Sequence, residues 1–187
     1  ADSYEMGSQN WTDGFAALLP YTQSLRTPAR MLRLQALVRA HDGDAHGAAE
    51  SIHAMFMAAR SLEREPLLVS SLVHAAIVST ALQSTRQLVP VVAFSDDDLR
   101  WLQQDIRRAR PANILYRALV TERAIGSGIF QNPRQAATQL GLTPEVGSVM
   151  LLSGPSDQLM YLDLMERFVA AANMEPHEGF EASQRAE

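Results

Sequence analysis

Strong helix-forming residues run through almost the whole chain, and this feature restricts the fold more than any other. Ala, Leu, Arg, Gln, Glu and Met dominate the 187 residues, and all six types favour the α-helix. No stretch alternates apolar and polar residues as a half-buried strand does. Residues 89–94 come nearest to a strand, but Pro90 cannot donate a hydrogen bond to a neighbouring strand. We therefore predict an all-α fold.

The composition excludes several classes of protein. Hydrophobic residues make up 47% of the chain, which is close to the globular average and excludes a wholly disordered protein. Because the chain has no Cys, it has no disulfide framework, no Cys-ligated zinc site and no thiol nucleophile. The net charge of -5 argues against a nucleic-acid-binding surface, which is normally basic.

Prolines, glycines and capping residues divide the chain into helices. Pro20 and the pair Thr27-Pro28 are expected to break or kink the first helix. Asp44 is predicted to cap the second helix, and Ser95 to cap the fourth in an approximate capping box with Asp98. The predicted helices lie near residues 15–41, 44–64, 66–88, from 95 onward, 111–130, 133–140 and, from a Ser156 cap, 156–173.

Short connections between neighbouring helices favour antiparallel hairpins. Residues 32–64 have the layout of one tetratricopeptide-like unit, although no second copy follows at a fixed period. We predict an array of antiparallel helical hairpins, tetratricopeptide-like in shape, with about six to seven helices. Residues 1–174 are expected to form a single helical domain with an irregular lead-in at 1–14, and residues 175–187 a polar, frayed tail.

The apolar pattern predicts which helix faces are buried. Leu32, Leu34, Leu37 and Val38 are expected to supply the apolar side of the first helix. The third helix is apolar nearly all round, and we predict burial on most sides rather than a membrane span, which needs about 20 mostly apolar residues. Residues 126–128 are Gly-Ser-Gly and lie inside the fifth helix. Because glycine destabilises a helix interior, we predict that another helix crosses closely there.

Three residues that could bind a metal share one face of the second helix. His46, Glu50 and His53 lie at i, i+4 and i+7, close to His41, Asp42 and Asp44. Their span of about 10 Å along the helix prevents all three from converging easily on one ion. No second Glu-x-x-His pair accompanies Glu50 and His53, as a di-iron bundle would require. These three residues are weak metal candidates, and we predict no bound metal and no cofactor.

The sequence offers no recognisable catalytic signature, and we assign no catalytic residues. His74 stands alone in the apolar third helix, where a hydrogen-bonded core histidine is the favoured interpretation and proton transfer the alternative. Glu122, Asp163 and Glu166 lie near apolar helix faces. Two such carboxylates in one cleft would support acid–base hydrolysis, whereas salt bridges are their ordinary use.

Several stretches together carry a resemblance to a known family: Asn10 to Phe15, Leu18-Leu19-Pro20, residues 29–37, the Asp42-Gly43-Asp44 turn, residues 59–62 with Glu65-Pro66, Glu122-Arg123-Ala124, and residues 157–166. Over residues 10–172 the chain resembles a family of uncharacterised all-helical proteins of planctomycete-type bacteria, although Pro28 departs from the pattern. Their soluble region usually follows an export or anchor segment. The resemblance implies an exported or periplasmic protein whose anchor is missing from this chain; a cytoplasmic location is the alternative.

A non-enzymatic helical scaffold that binds a protein or peptide is the function we expect. Hairpin arrays offer extended grooves, and eight Met residues would give an adaptable apolar surface. We expect no nucleic-acid partner and no membrane span within the chain, and the oligomeric state stays open. The alternative is an envelope-associated hydrolase that uses paired carboxylates, with Glu122, Glu166 or His74 in the site.

Overall fold

The computed structural model describes residues 19–109, 113–131, 133–134 and 144–174, with side chains from residue 26 in the first helix and from residue 155 in the last. Within these residues there are six α-helices and no strand, which confirms the all-α prediction. The helices are α1 (Leu19–His41), α2 (Ala45–Arg60), α3 (Leu68–Leu88), α4 (Asp96–Arg108), α5 (Ile114–Gln131) and α6 (Pro144–Ala172).

One predicted helix boundary at a proline is wrong, since α6 continues through Pro155 instead of starting at a Ser156 cap. At Pro28, where the sequence predicts a break or a kink, α1 has no break. An internal proline removes one helical hydrogen bond and strains the preceding turn, but it does not prevent helix on both sides. In α1 the next residue, Ala29, is buried at 3% exposure, so packing holds the turn after the proline in place.

The other boundaries lie close to the predicted ones. α2 ends at Arg60 and a turn fills residues 61–64, while α5 begins at Ile114 rather than at Pro111. The helix predicted at 133–140 lies outside the described residues except for 133–134, which are helical. The predicted lead-in at 1–14 and the tail at 175–187 also lie outside them.

The described residues fall into two compact units. Unit 1 contains residues 20–65 and 69–109, and unit 2 contains residues 19, 66–68, 113–131, 133–134 and 144–174. Unit 1 therefore holds α2, α4 and all but the first residue of α1 and of α3, whereas unit 2 holds α5, α6 and those two first residues. The single domain expected over residues 1–174 stays a prediction.

Small residues line much of the core of unit 1. Alanines from α1, α2 and α3 share one buried cluster with larger side chains from α2, α3 and α4, and alanine allows helix backbones to approach closely. Phe56, Ile52 and Met55 of α2 are among the largest side chains in this core, with at most 2% exposure. The alanines of the cluster are Ala29, Ala36, Ala48, Ala49, Ala59 and Ala81.

The predicted N-caps of α2 and α4 are confirmed. Asp44 Oδ1 accepts a hydrogen bond from Gly47 N at 2.9 Å. At the start of α4, Ser95 Oγ accepts from Asp98 N, and Asp98 Oδ2 accepts from Ser95 N, both at 3.2 Å. This reciprocal pair completes the capping box, and the acidic first turn of α4 also suits the helix dipole.

The buried side of α3 is largely polar, although the helix is rich in apolar residues. The hydroxyls of Ser84 and Thr85 each donate to the carbonyl four residues earlier at 2.9 Å, so they are satisfied within the helix. Leu72 and Leu82 are 60% and 39% exposed, so one face of the helix lies at the surface. The polar residues buried in α3 are Ser70, Ser71, His74, Ser84 and Thr85.

α3 is the one helix in the described part of the chain that is long and apolar enough to cross a membrane, judged by length and composition alone. Its inner side contributes Val73, Ile77 and Ala81 to the core of unit 1. A single helix of this kind is weak evidence of a membrane span, because the core helix of a globular protein passes the same test.

In unit 2, a tyrosine ring of α6 lies against the glycine segment of α5. Tyr161 Oη donates a hydrogen bond to Glu122 O at 2.7 Å, and its ring centroid is 5.6 Å from that of Phe130. A Cβ atom on Gly126 would clash with Tyr161 Oη, whereas one on Gly128 would meet no atom within 4 Å. A residue of α6 thus lies close to α5 at Gly126, but a tyrosine side chain, rather than the predicted close backbone, occupies the space that a Cβ would take.

The two glycines of α5 provide a matched pair of substitutions. We expect Gly126→Ala to destabilise the protein by about 1–3 kcal/mol, because the added methyl group displaces Tyr161. Gly128→Ala adds the same methyl group in open space, so we expect it to stabilise by about 1 kcal/mol through helix propensity. Chemical unfolding of both variants measures the difference, and equal effects of the two substitutions would contradict the role given to Tyr161.

Candidate functional site

Two histidines of α2 pair with two aspartates of α4. His46 Nδ1 lies 2.7 Å from Asp98 Oδ1, and His53 Nδ1 lies 2.6 Å from Asp105 Oδ2. Both pairs join residues 52 positions apart in the sequence, so α2 and α4 run in the same direction where they meet. Together with Trp101 these four residues form what we call the histidine–aspartate cluster.

Trp101 stands between the two pairs. Its ring centroid is 4.2 Å from that of His53, with planes inclined by 35°, and 6.4 Å from that of His46, with planes inclined by 27°. On α4 it follows Asp98 by three residues and precedes Asp105 by four, so all three side chains share one helix face. The indole therefore packs on both imidazoles while the flanking carboxylates bond to them.

The inner pair buries a charged group. The side chain of Asp105 is only 2% exposed, and Arg60 Nη2 lies 3.6 Å from its second oxygen, Oδ1. A buried carboxylate is costly unless cations and hydrogen bonds surround it. His53 at 2.6 Å supplies the hydrogen bond and Arg60 supplies the cation. This carboxylate of α4 therefore connects α4 to α2 and does not face solvent.

The outer pair is open to solvent on the histidine side. The side chain of His46 is 67% exposed, whereas that of Asp98 is 7% exposed. The hydrogen bond and the charge of Asp98 raise the pKa of His46 above its ordinary value of 6.5, and Glu50 and Asp44 add to the effect. The Ser95 hydroxyl and then His46 hold the pKa of Asp98 below its ordinary value. At mildly acidic pH this pair is therefore an ion pair.

The residues that the sequence offers as metal candidates do not come together as a metal site. Glu50 Oε2 bonds to Arg39 Nη1 at 3.2 Å, and Glu50 Oε1 lies 3.8 Å from His46 Nε2. His53 bonds instead to Asp105, farther along the helix. Within the described residues, no group of three or more His, Asp or Glu side chains is arranged to hold a metal ion.

The carboxylates considered for catalysis have structural contacts. Glu122 Oε1 accepts from Leu68 N at 3.2 Å, at the N-terminus of α3, where the helix dipole favours a negative charge. Asp163 forms an ion pair with Arg167 at 2.8 Å, one turn along α6. Glu166 is exposed on the same helix.

His74 is a buried histidine of unit 1. It is 5% exposed, and its Nε2 atom lies 4.0 Å from Glu63 Oε1 without forming a hydrogen bond to a described residue. Burial lowers the pKa of His74 below 6.5, and the nearby Glu63 carboxylate only partly opposes this. The imidazole is therefore neutral at neutral pH, as expected for a core residue.

α1 exposes a row of large apolar side chains, which we call the α1 ridge: Met31, Leu34 and Val38. They are 63%, 58% and 59% exposed. Their spacing of i, i+3 and i+7 places them on one helix face, opposite buried Ala29 and Ala36. The prediction that Leu34 and Val38 belong to the buried side is therefore wrong, whereas the predicted Leu32 and Leu37 do pack against the core.

Arginines adjoin the α1 ridge. α1 contains no acidic residue, and helical spacing places Arg26 and Arg30 on one side of the ridge, with Arg33 closer to the buried face. None of the three forms an ion pair with another described residue, and Arg26 and Arg30 are exposed. A chain of net charge -5 thus presents a local surface that is apolar and positively charged.

Comparison of the chain with models of protein families, with curated proteins and with solved structures found no match. The resemblance to the planctomycete-type family stays a prediction, and the site is interpreted from its own geometry.

Sequence reasoning did not find Trp101 and Asp105, or the partnership of Asp98 with a histidine. A signal for them exists, because Asp98, Trp101 and Asp105 share one face of α4 with the same seven-residue spacing that separates His46 from His53. That match becomes informative only once α2 and α4 are known to be neighbours.

We expect the contribution of His46 to stability to depend on pH. Because the folded protein raises the pKa of His46 above 6.5, protonated His46 stabilises the fold fully below about pH 6.5, and this contribution disappears as the pH rises through the raised value. His46→Gln should therefore destabilise the protein at about pH 5.5 and have little effect at about pH 9.

Urea unfolding of wild type and His46→Gln at the two pH values measures this effect. The same substitution in an Asp98→Asn background is the control, because it removes the main partner charge and should reduce the pH dependence to the smaller effect of Glu50 and Asp44. An equal loss of stability at both pH values in the wild-type background would show that the pair contributes through packing alone.

We expect a large excess of a divalent-metal chelator to leave the melting temperature unchanged. The Nδ1 atoms of His46 and His53 bond to carboxylates, and Glu50 bonds to Arg39, so these three side chains do not converge on one ion. Differential scanning calorimetry with and without chelator checks this expectation. A fall of several degrees with chelator would contradict it.

Proposed function

We propose that the protein is a non-enzymatic helical scaffold that binds a protein or peptide segment on the α1 ridge. The observation that carries the proposal is the exposure of Met31, Leu34 and Val38 in successive turns of one helix. Contiguous exposed apolar patches with a polar rim mark interaction sites in monomeric proteins. An amphipathic helix that lays its apolar face on such a row is a common recognition mode.

Two broader expectations belong to the same proposal. A tetratricopeptide-like array of hairpins would leave one helix face of each unit available to a ligand. The turn of three residues between α1 and α2 is compatible with such a hairpin. An exported or periplasmic location follows from the family resemblance alone, with the cytoplasm as its alternative.

The hydrolase alternative receives less support from the contacts. It requires two of the groups Glu122, Glu166 and His74 in one cleft. Glu122 is used at the N-terminus of α3, and buried His74 has the lowered pKa of an ordinary core histidine. These contacts account for both residues without catalysis, so we favour binding.

Selection from a display library of amphipathic peptides tests the proposal. We expect peptides enriched on the wild-type protein to lose at least about tenfold in affinity for the double variant Leu34→Gln/Val38→Gln, because burial of one large apolar side chain contributes about 1.5–3 kcal/mol. Leu72→Gln is the matched control, since Leu72 on α3 is 60% exposed and lies outside the ridge. Equal affinity for wild type and double variant, or no enrichment at all, would contradict the proposal.

A further inference from the structure

The α1 ridge has the residue spacing of a coiled-coil seam. Met31, Leu34 and Val38 are separated by three and then four residues, as are the successive a, d and a positions of a heptad repeat. Thr27 and His41 continue this spacing at the two ends of the ridge, and both are exposed. The outer side of α1 is therefore a surface of the kind that packs along a second helix.

A helix is the shape of partner that this surface fits. Ala29 and Ala36 occupy the opposite side of α1 at 3% and 0% exposure, so the core of unit 1 holds the helix without covering the ridge. The described residues contain no strand, so they offer no sheet edge to which an extended peptide could add. A helical partner satisfies its own backbone and presents side chains at the matching spacing.

One flank of the ridge is positively charged. Arg30 directly precedes Met31 and so takes a g position, where charged residues of coiled coils pair with the partner helix. Arg26 lies one turn earlier on the same flank. Both arginines are exposed, and neither forms an ion pair with another described residue, whereas Arg39 pairs with Glu50 of α2 at 3.2 Å. The flank therefore offers two cations to a partner.

We propose that the partner of the α1 ridge is an acidic amphipathic helix, whose apolar side packs on the ridge while its carboxylates pair with Arg26 and Arg30. This inference rests on the proposed function, because it names the chemistry of the ligand that the same ridge binds. Opposite charges beside a shared apolar seam set the choice and the orientation of a partner helix.

The charges along α1 also determine where the carboxylates of the partner lie. Asp42 and Asp44 are exposed in the turn that follows the C-terminal end of α1, and they repel an acidic residue placed there. Arg26 and Arg30 attract one at the opposite end. The acidic residues of the partner therefore belong beside the N-terminal half of the ridge.

Two other occupants fit these charges less well. α1 contains no acidic residue, so the α1 ridge of a second copy would bring no carboxylate to Arg30. An anionic membrane would attract the two arginines but repel a chain whose net charge is -5. Neither combines the seam spacing with the missing negative charges as an acidic helix does.

Two synthetic helical peptides test the proposal. Both carry leucine at the a and d positions of several heptads, and they differ only at the e and g positions, which are all Glu in the acidic peptide and all Lys in the basic one. Fluorescence anisotropy measures the binding of each to wild type and to Arg26→Glu/Arg30→Glu. Arg64→Glu/Arg86→Glu is the matched control, because both arginines are exposed outside α1 and the net charge changes equally.

We expect the acidic peptide to bind wild type, and to bind it more weakly as salt is added. Its affinity should fall at least about tenfold for Arg26→Glu/Arg30→Glu, where repulsion replaces attraction at two positions, and should stay near the wild-type value for the control. The basic peptide should prefer the Arg26→Glu/Arg30→Glu variant, which also shows that this variant folds. Equal affinity of the acidic peptide for wild type and this variant, or a basic peptide that prefers wild type, overturns the proposal.

The remaining outcomes separate this inference from the proposed function. Library peptides that bind through Leu34 and Val38, but equally well to Arg26→Glu/Arg30→Glu, overturn the acidic partner and leave the scaffold standing. Without binding of the acidic peptide, self-association in sedimentation velocity that Leu34→Gln/Val38→Gln abolishes replaces the partner with a second copy. Binding to phosphatidylglycerol vesicles that Arg26→Glu/Arg30→Glu abolishes replaces it with a membrane. Binding of no peptide, copy or vesicle contradicts both proposals.

Discussion

Close packing of alanine-lined helix faces is the constraint on which the rest of unit 1 depends. Ala29 and Ala36 turn the inner side of α1 towards a core that also contains Ala48 and Ala49 of α2, all at most 3% exposed. Small residues at these positions let the helices approach closely. The larger residues that alternate with the alanines of α1 must then point elsewhere, and Met31, Leu34 and Val38 point to solvent.

A second constraint fixes α2 against α4. The buried Asp105 carboxylate holds His53 and Arg60, and removal of one partner of such a group leaves an uncompensated buried charge. The Asp98–His46 pair lies at the surface, farther along the contact between α2 and α4. It is again a histidine bonded to an aspartate, but here His46 stays in contact with solvent when it is protonated. The Asp105 pair therefore sets the register of the two helices in the interior, and the Asp98 pair adjusts their attachment with pH.

The sequence predicted the features that local interactions decide. The caps at Asp44 and Ser95 and the close contact at Gly126 follow from residues within one or two helical turns or from the cost of a helical glycine. Contacts between helices were not predictable in this way, because the pairing of His53 with Asp105 joins residues 52 positions apart. The wrong prediction for Leu34 and Val38 has the same origin. Apolar periodicity identifies an apolar helix face, but it does not show that the alanine face of α1, rather than its leucine face, contacts the core.

The exposed side chains of the α1 ridge contribute little to the stability of the fold. A side chain that is 58–63% exposed in the folded protein gains little from folding, so its apolar character is not explained by the core. Surface substitutions away from packed or paired groups usually change stability by less than about 0.5 kcal/mol. Met31, Leu34 and Val38 are therefore free to vary without loss of the fold, and the binding role that we propose for the ridge accounts for three large apolar residues in this row.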